Sequence, residues 1–107
     1  MQPLKDPVIA QFWKLIAPVH KQIVKAYLFG SRAREEGLPD SDYDILLVVP
    51  ERNPKIINRL YDAVMKVLLE QEQYISLKVF AKKTFDRLAS IPTPFMEEVI
   101  KEGIPIV

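Results

Sequence analysis

The sequence contains no cysteine, which excludes a disulfide framework and any thiolate metal site, and nothing in it points to an oxidising compartment. Histidine occurs once, at His20 beside Pro18 and Lys21, a setting that reads as solvated surface and not as a catalytic base. Long apolar runs are also missing. The longest uncharged one, Ile45 to Val49, is far below the roughly 20 residues of a membrane helix, and no basic-then-apolar leader opens the chain. The expectation is a cytoplasmic protein with no membrane association. Nor is there an excess of either charge: 15 basic against 14 acidic residues give a net charge of +1, without the strongly basic signature of a dedicated nucleic-acid binder. A small substrate or a protein partner fits better.

What is present is an ordinary globular balance of 49% hydrophobic and 27% charged residues. Its 107 residues suit one domain, since domains commonly run to roughly 100–150 residues. The expectation is therefore one small domain over residues 1–107. There is no room for a second domain to close over a substrate. A pocket must lie outside one small sheet or be completed by another chain, so self-association or a protein partner is expected.

Asp6 is placed to cap a helix with Pro7 at its first position, and Val8, Ile9, Phe12, Trp13 and Ile16 recur at helical spacing. Trp13 belongs to that apolar stripe, as core or subunit contact. Pro18 ends or kinks this helix. Ile23 to Phe29 reads as a strand that stops at Gly30, Ser31 to Arg34 as a short helical turn, residues 37–41 as a loop, and Asp42 to Val49 as a second strand. The distal half of that strand is apolar on both faces, which predicts a central strand covered on both sides. Asn53 and Pro54 open a long helix to about Gln71, and Tyr74 to Phe80 is a third strand. Lys82 and Lys83 begin a solvated turn of helix carrying Phe85 and Leu88. Thr93 and Pro94 start a last helix that Gly103 terminates. This order predicts an α/β (α+β) fold with a mixed sheet flanked by helices.

Asp42 and Asp44 stand two apart on a strand, so both side chains leave one face. Carboxylates that close repel unless a proton or a cation intervenes, and Mg²⁺ characteristically binds through one or two carboxylates plus substrate phosphates. Gly30-Ser31 supplies the complement. Gly30 lets backbone approach a phosphate, and Ser31 begins a turn whose free N–H groups favour anions.

The run Leu28-Phe29-Gly30-Ser31-Arg32-Ala33-Arg34, followed after the loop by Asp42-Tyr43-Asp44-Ile45-Leu46-Leu47-Val48, resembles the polymerase-beta nucleotidyltransferase superfamily, and most of all its short MNT-type members. The resemblance implies a nucleotidyltransferase fold that moves a nucleoside monophosphate from ATP or a related triphosphate, with release of pyrophosphate. It implies Gly30 and Ser31 at the triphosphate, Arg32 and Arg34 steadying its charge, and Asp42 and Asp44 as catalytic Mg²⁺ ligands. MNT-type relatives imply a protein hydroxyl as acceptor and a HEPN-domain partner, in an antitoxin and toxin arrangement.

Two departures stand out. Glu35 follows Arg34 where the superfamily commonly has glycine. A third carboxylate is expected near the start of the third strand, where this chain has Ser76, with Lys78 on the same face. Ser76 is thus expected to face Asp42 and Asp44 with no acid completing the set. An ion pair from Lys78 to the aspartates would replace a metal and favour a contact-only binding module. Tyr43 and Tyr74 read as packing residues.

Overall fold

The structure is a computed structural model and describes residues 2–107. Helix α1 (Pro7–Leu15) starts where the sequence places it. The Asp6 carboxylate accepts from the Val8 and Ile9 amides at 2.8 and 3.3 Å, satisfying two donors that the first turn leaves free. A 3₁₀ segment, Ala17–Gln22, with Pro18 near its start, then consumes residues that had been expected to lead into a strand. Strand β1 accordingly begins at Lys25 instead of Ile23 and runs to Phe29.

Helix α2 (Gly30–Ala33) is one short turn, and β2 (Tyr43–Val49) follows the loop. Asp42 lies just ahead of β2, not within it. Helix α3 (Pro54–Gln71) has the expected bounds, with the Asn53 side chain accepting from the Lys55 amide at 2.8 Å. Strand β3 (Ile75–Ala81) sits one residue later than expected. Helices α4 (Lys82–Ala89) and α5 (Pro94–Glu102) come next, the latter capped by Thr93. The closing residues Ile104–Pro105 form β4, a strand that the sequence did not announce.

Among the described residues, four strands make one mixed sheet in the order β3-β2-β1-β4. Strand β1 is antiparallel to β2 and β4, whereas β2 and β3 are parallel, as a long helical crossover requires. Successive side chains along the strands point to opposite faces of the sheet. Ala26, Leu28, Tyr43, Ile45, Leu47, Ile75 and Leu77 face α1 and α3 and meet Ile9, Phe12, Leu60 and Val64 in the larger core. Phe29, Leu46 and Val48 face the other way, against Phe85, Met96 and Val99 of α4 and α5. Residues Ile45 to Val49 of β2 are buried throughout, so it is the covered central strand that its double apolarity predicts.

Candidate active site

The second face is apolar only along part of its length. Phe29 pairs with Asp44 and Asp44 with Ser76, so the end of β1, the start of β2 and the start of β3 lie side by side. Gly30 turns the chain out of β1 with φ +74, a left-handed conformation that favours glycine. A methyl group built there would run into the Asp44 carboxylate. Two requirements, one conformational and one steric, thus fall on the same residue. Both come from bringing backbone against an acid.

Asp44 is half-buried and Asp42, two residues earlier, is exposed. Burial raises the Asp44 pKa above the usual carboxylate range. Lys78 is the strongest opposing influence, while Asp42 and Glu98 add to the rise. No ion pair within 4 Å joins Lys78 to either aspartate among the described residues, so Lys78 moderates this charge at a distance and does not cancel it by contact. The donor set suits a divalent cation. It offers two nearby carboxylates, one of them disfavoured as a bare anion, beside a glycine whose backbone packs against that one. No group of three or more His, Cys, Asp or Glu side chains that could hold a metal occurs among the described residues. A cation here would complete its shell from phosphate oxygens and water.

Both arginines are held by groups of the chain itself. The Arg32 guanidinium donates to the carbonyls of Ser41, at 2.8 and 3.2 Å, and Pro39, at 3.1 Å, and lies 4.2 Å above the Tyr43 ring. Tyr43 in turn donates its hydroxyl to the second Asp6 oxygen at 2.9 Å. Arg32 is therefore a clamp on the loop that delivers Asp42, anchored through Tyr43 to the cap of α1. Arg34 pairs with Glu98 at 3.0 Å and Glu102 at 3.1 Å, tying α2 to α5. Sequence reading missed this chain. Strand alternation does put Tyr43 on the opposite face from Asp44, and Glu98 and Glu102 are visible one turn apart, but their partners are not legible without the fold.

His20 is also not the solvated residue expected. It is half-buried, stacked on Trp13 with ring centroids 4.3 Å apart, and its Nε2 lies 2.7 Å from the Trp13 carbonyl oxygen. The 3₁₀ segment folds it back over α1. An open groove of about 580 Å³ lined by Leu15, Lys55, Arg59 and Lys66 lies along α3, and none of the motif residues lines it.

A mixed sheet with a glycine-serine turn leaving one strand and an Asp-x-Asp pair entering its neighbour defines a nucleotidyltransferase fold. The family model described as Polymerase beta, Nucleotidyltransferase matches residues 14–107, and the chain belongs to that family. No curated protein matches it. Among solved structures, it is similar to a chain of a toxin–antitoxin complex with AMP-PNP, at 19% identity and TM-score 0.62, covering 92% of this chain and 71% of that one. It is also similar to a putative nucleotidyltransferase from Sulfolobus solfataricus, at 21% identity and TM-score 0.59, over 96% and 78% of the two chains. A third likeness, 18% identical with TM-score 0.53 over 100% and 72%, is to a chain from the complex of tri-AMPylated Shewanella oneidensis HEPN toxin with MNT antitoxin. At such identities the likeness is one of fold. Among the described residues no helix is long and apolar enough to cross a membrane.

Proposed function

We propose that this chain binds ATP or a related nucleoside triphosphate with Mg²⁺ at Gly30, Ser31, Asp42 and Asp44, and transfers the nucleoside monophosphate to a hydroxyl of a HEPN-type protein partner. The observation that carries the reading is Gly30, held left-handed and pressed against Asp44 where no side chain fits. The family and the AMP-PNP and AMPylated-toxin complexes among the fold relatives support the choice of chemistry and of acceptor.

Asp42 and Asp44 would hold Mg²⁺, which when bound supplies charge stabilisation to the reacting phosphates and the departing pyrophosphate. The Gly30-Ser31 backbone and the Ser31 hydroxyl cradle the triphosphate. The acceptor oxygen attacks the α-phosphorus, the α–β phosphoanhydride bond breaks, pyrophosphate leaves, and the hydroxyl proton passes to water. Arg32 contributes by fixing the loop ahead of Asp42. Arg34 reaches a triphosphate only by releasing Glu98 and Glu102, so its exchange of partners accompanies binding in this reading.

Asp44→Ala is expected to abolish Mg²⁺-dependent incorporation of labelled nucleotide into a purified HEPN partner. Unchanged labelling refutes the assignment. Ser76 stands in register with Asp44 where the superfamily usually keeps an acid, and Ser76→Asp is expected to tighten Mg²⁺ binding and raise transfer. A Ser76→Asp chain unchanged in both removes Ser76 from the site.

The same register motivates a second reading, a partner-binding module without chemistry. Loss of general-base assistance typically lowers rate by about 10² to 10⁴, which a slow protein modifier survives and a metabolic enzyme does not. Thermal unfolding with Mg·ATP separates the two. A ligand at about 100 times its dissociation constant adds about 2.7 kcal/mol to stability, and an unmoved transition favours the contact-only module.

A further inference from the structure

Strand β3 is an edge of the sheet, paired on one side only. The Tyr43 amide donates to the Tyr74 carbonyl at 3.0 Å, so in a parallel ladder the backbone groups of Ser76, Lys78 and Phe80 turn towards β2. Those of Ile75, Leu77 and Val79 turn outwards. Natural sheets usually blunt such an edge with charge, proline or a covering segment. Beside this one runs an apolar stripe. Tyr61, Met65 and Leu69, four residues apart on α3, are 41%, 50% and 78% exposed, and the Tyr61 hydroxyl donates to the outward Leu77 carbonyl at 3.3 Å. Tyr74, 44% exposed, lies just ahead of the strand.

The charges flanking the edge are polarised. Exposed Glu72 lies at its start, and exposed Lys82 and Lys83 at its end, while Glu70 is turned to Gln11 of α1. An antiparallel copy of the same edge sets acid against base at both ends, whereas a parallel copy sets like against like. We propose that the β3 edge and the Tyr61-Met65-Leu69 stripe form the interface of a two-fold symmetric homodimer, with a second copy of this chain as the occupant. The inference rests on this edge alone and not on the reading of the active site.

A register centred on Lys78 would set the two Lys78 side chains face to face at the axis, so the pair is centred on Leu77. The Ile75, Leu77 and Val79 amides then donate to the partner's Val79, Leu77 and Ile75. The Leu77 carbonyl keeps a second lone pair for Tyr61. Ser76 falls opposite the partner's Lys78, which keeps the two Lys78 ammonium groups from facing each other. Glu72 reaches the end occupied by the partner's Lys82 and Lys83. Lys82 already holds Asp86 at 2.6 Å, leaving Lys83 as the main partner for Glu72. The two α3 helices run antiparallel over the junction, with the two Tyr61 hydroxyls near the axis and Met65 and Leu69 flanking it on either side. The result is self-complementary, as a two-fold interface must be.

The test is sedimentation equilibrium of the purified full chain across a concentration series. A mass of twice 12.4 kDa is expected at the high end, falling to the single-chain mass for Met65→Glu, which puts a carboxylate into the apolar stripe on each side of the axis, at an exposed position, and leaves the circular dichroism spectrum intact. Lys83→Glu and Glu72→Lys should each weaken the dimer several-fold, more so at low salt, and the double variant should restore it. A wild-type chain that stays monomeric throughout overturns the proposal. So does a dimer that Met65→Glu leaves unchanged, including the case in which that variant instead loses binding to a helical partner protein.

Discussion

The two faces of the sheet are built to different standards. On the α1/α3 face every inward strand residue is apolar, and helix, strand and 3₁₀ segment close around Phe12 and Ile16, both with no exposed surface. On the other face, α4 and α5 cover Leu46 and Val48, but the row through Asp44 and Ser76 stays polar, with like charges close together. Full burial of a large aliphatic or aromatic side chain is worth about 1.5–3 kcal/mol, so the first face holds most of the stabilising area. The lesson is a division of labour. A small domain can keep carboxylates in mutual repulsion at one strand end because the opposite face asks nothing of those residues. Arg32 and Tyr43 connect the two, reaching from the loop of one to the helix cap of the other.

The largest expected effect breaks the core face. Phe12→Ala should cost about 3–5 kcal/mol in denaturant unfolding, from lost transfer energy and the cavity left behind. Ser76→Ala, on the polar row, should stay within about 0.5 kcal/mol of the parent. Comparable losses at both positions would end the contrast.

Tyr43 sharpens it next, because its ring belongs to the core face while its hydroxyl meets Asp6. Burial, and then the Asp6 carboxylate, push its pKa up to about 12 from 10. A raised pKa means that the folded chain holds the proton more tightly than the unfolded one. The stabilisation is complete below pH 10 and is lost as pH climbs towards 12. Two units correspond to at most about 2.7 kcal/mol. Unfolding midpoints between pH 9 and 12 should fall more steeply for the parent than for Tyr43→Phe; parallel curves would place the hydroxyl outside the hydrogen bond.

The core face was the more legible of the two. Its helix starts are written in Asp6-Pro7 and Asn53-Pro54, and the doubly apolar run from Ile45 to Val49 announces a central strand. The Asp42-x-Asp44 spacing and Gly30-Ser31 were equally plain, and the register of Asp44 with Ser76 follows from pairing β2 with β3. Long-range partners were what the sequence could not show. Arg34 meets Glu98 across 64 residues and Tyr43 meets Asp6 across 37, and no local period encodes either. The 3₁₀ segment displaced the start of β1 because Pro18 at its beginning permits a tighter turn as readily as it ends a helix. Strand β4 is two residues with a proline, too short to leave a pattern.

A smaller effect lies in the turn between the faces. Glu35 has φ +58, a left-handed conformation that costs a non-glycine residue about 1–2 kcal/mol, and this is the position at which glycine is common among the sequences it resembles. Glu35→Gly should raise stability by about 1 kcal/mol, reduced somewhat by the freedom glycine gains in the unfolded chain. A destabilised glycine variant would mean that the Glu35 side chain contributes something its exposure does not suggest.

The smallest expected effect tests the polar row itself. Asp44 is raised in pKa by burial first, with Asp42 and Glu98 adding to the rise against Lys78 and Arg34. For a group raised in the folded state, the charged form is the disfavoured one. Its cost is absent while the carboxyl is protonated and appears as pH rises through the acid range. Asn is neutral and nearly isosteric, so Asp44→Asn removes that cost. At neutral pH with a chelator present, the variant should be more stable than the parent by about 0.5–1 kcal/mol, the scale usual when a functional group is exchanged for a comfortable one. The advantage should vanish on acidification, where the parent becomes neutral as well. Adding Mg²⁺ with a nucleoside triphosphate should reverse the order, stabilising the parent and leaving Asp44→Asn where it was. An Asn variant less stable than the parent without metal would show that Asp44 has a stabilising contact within the fold, and that its row is ordinary surface and not a site held ready for a cation.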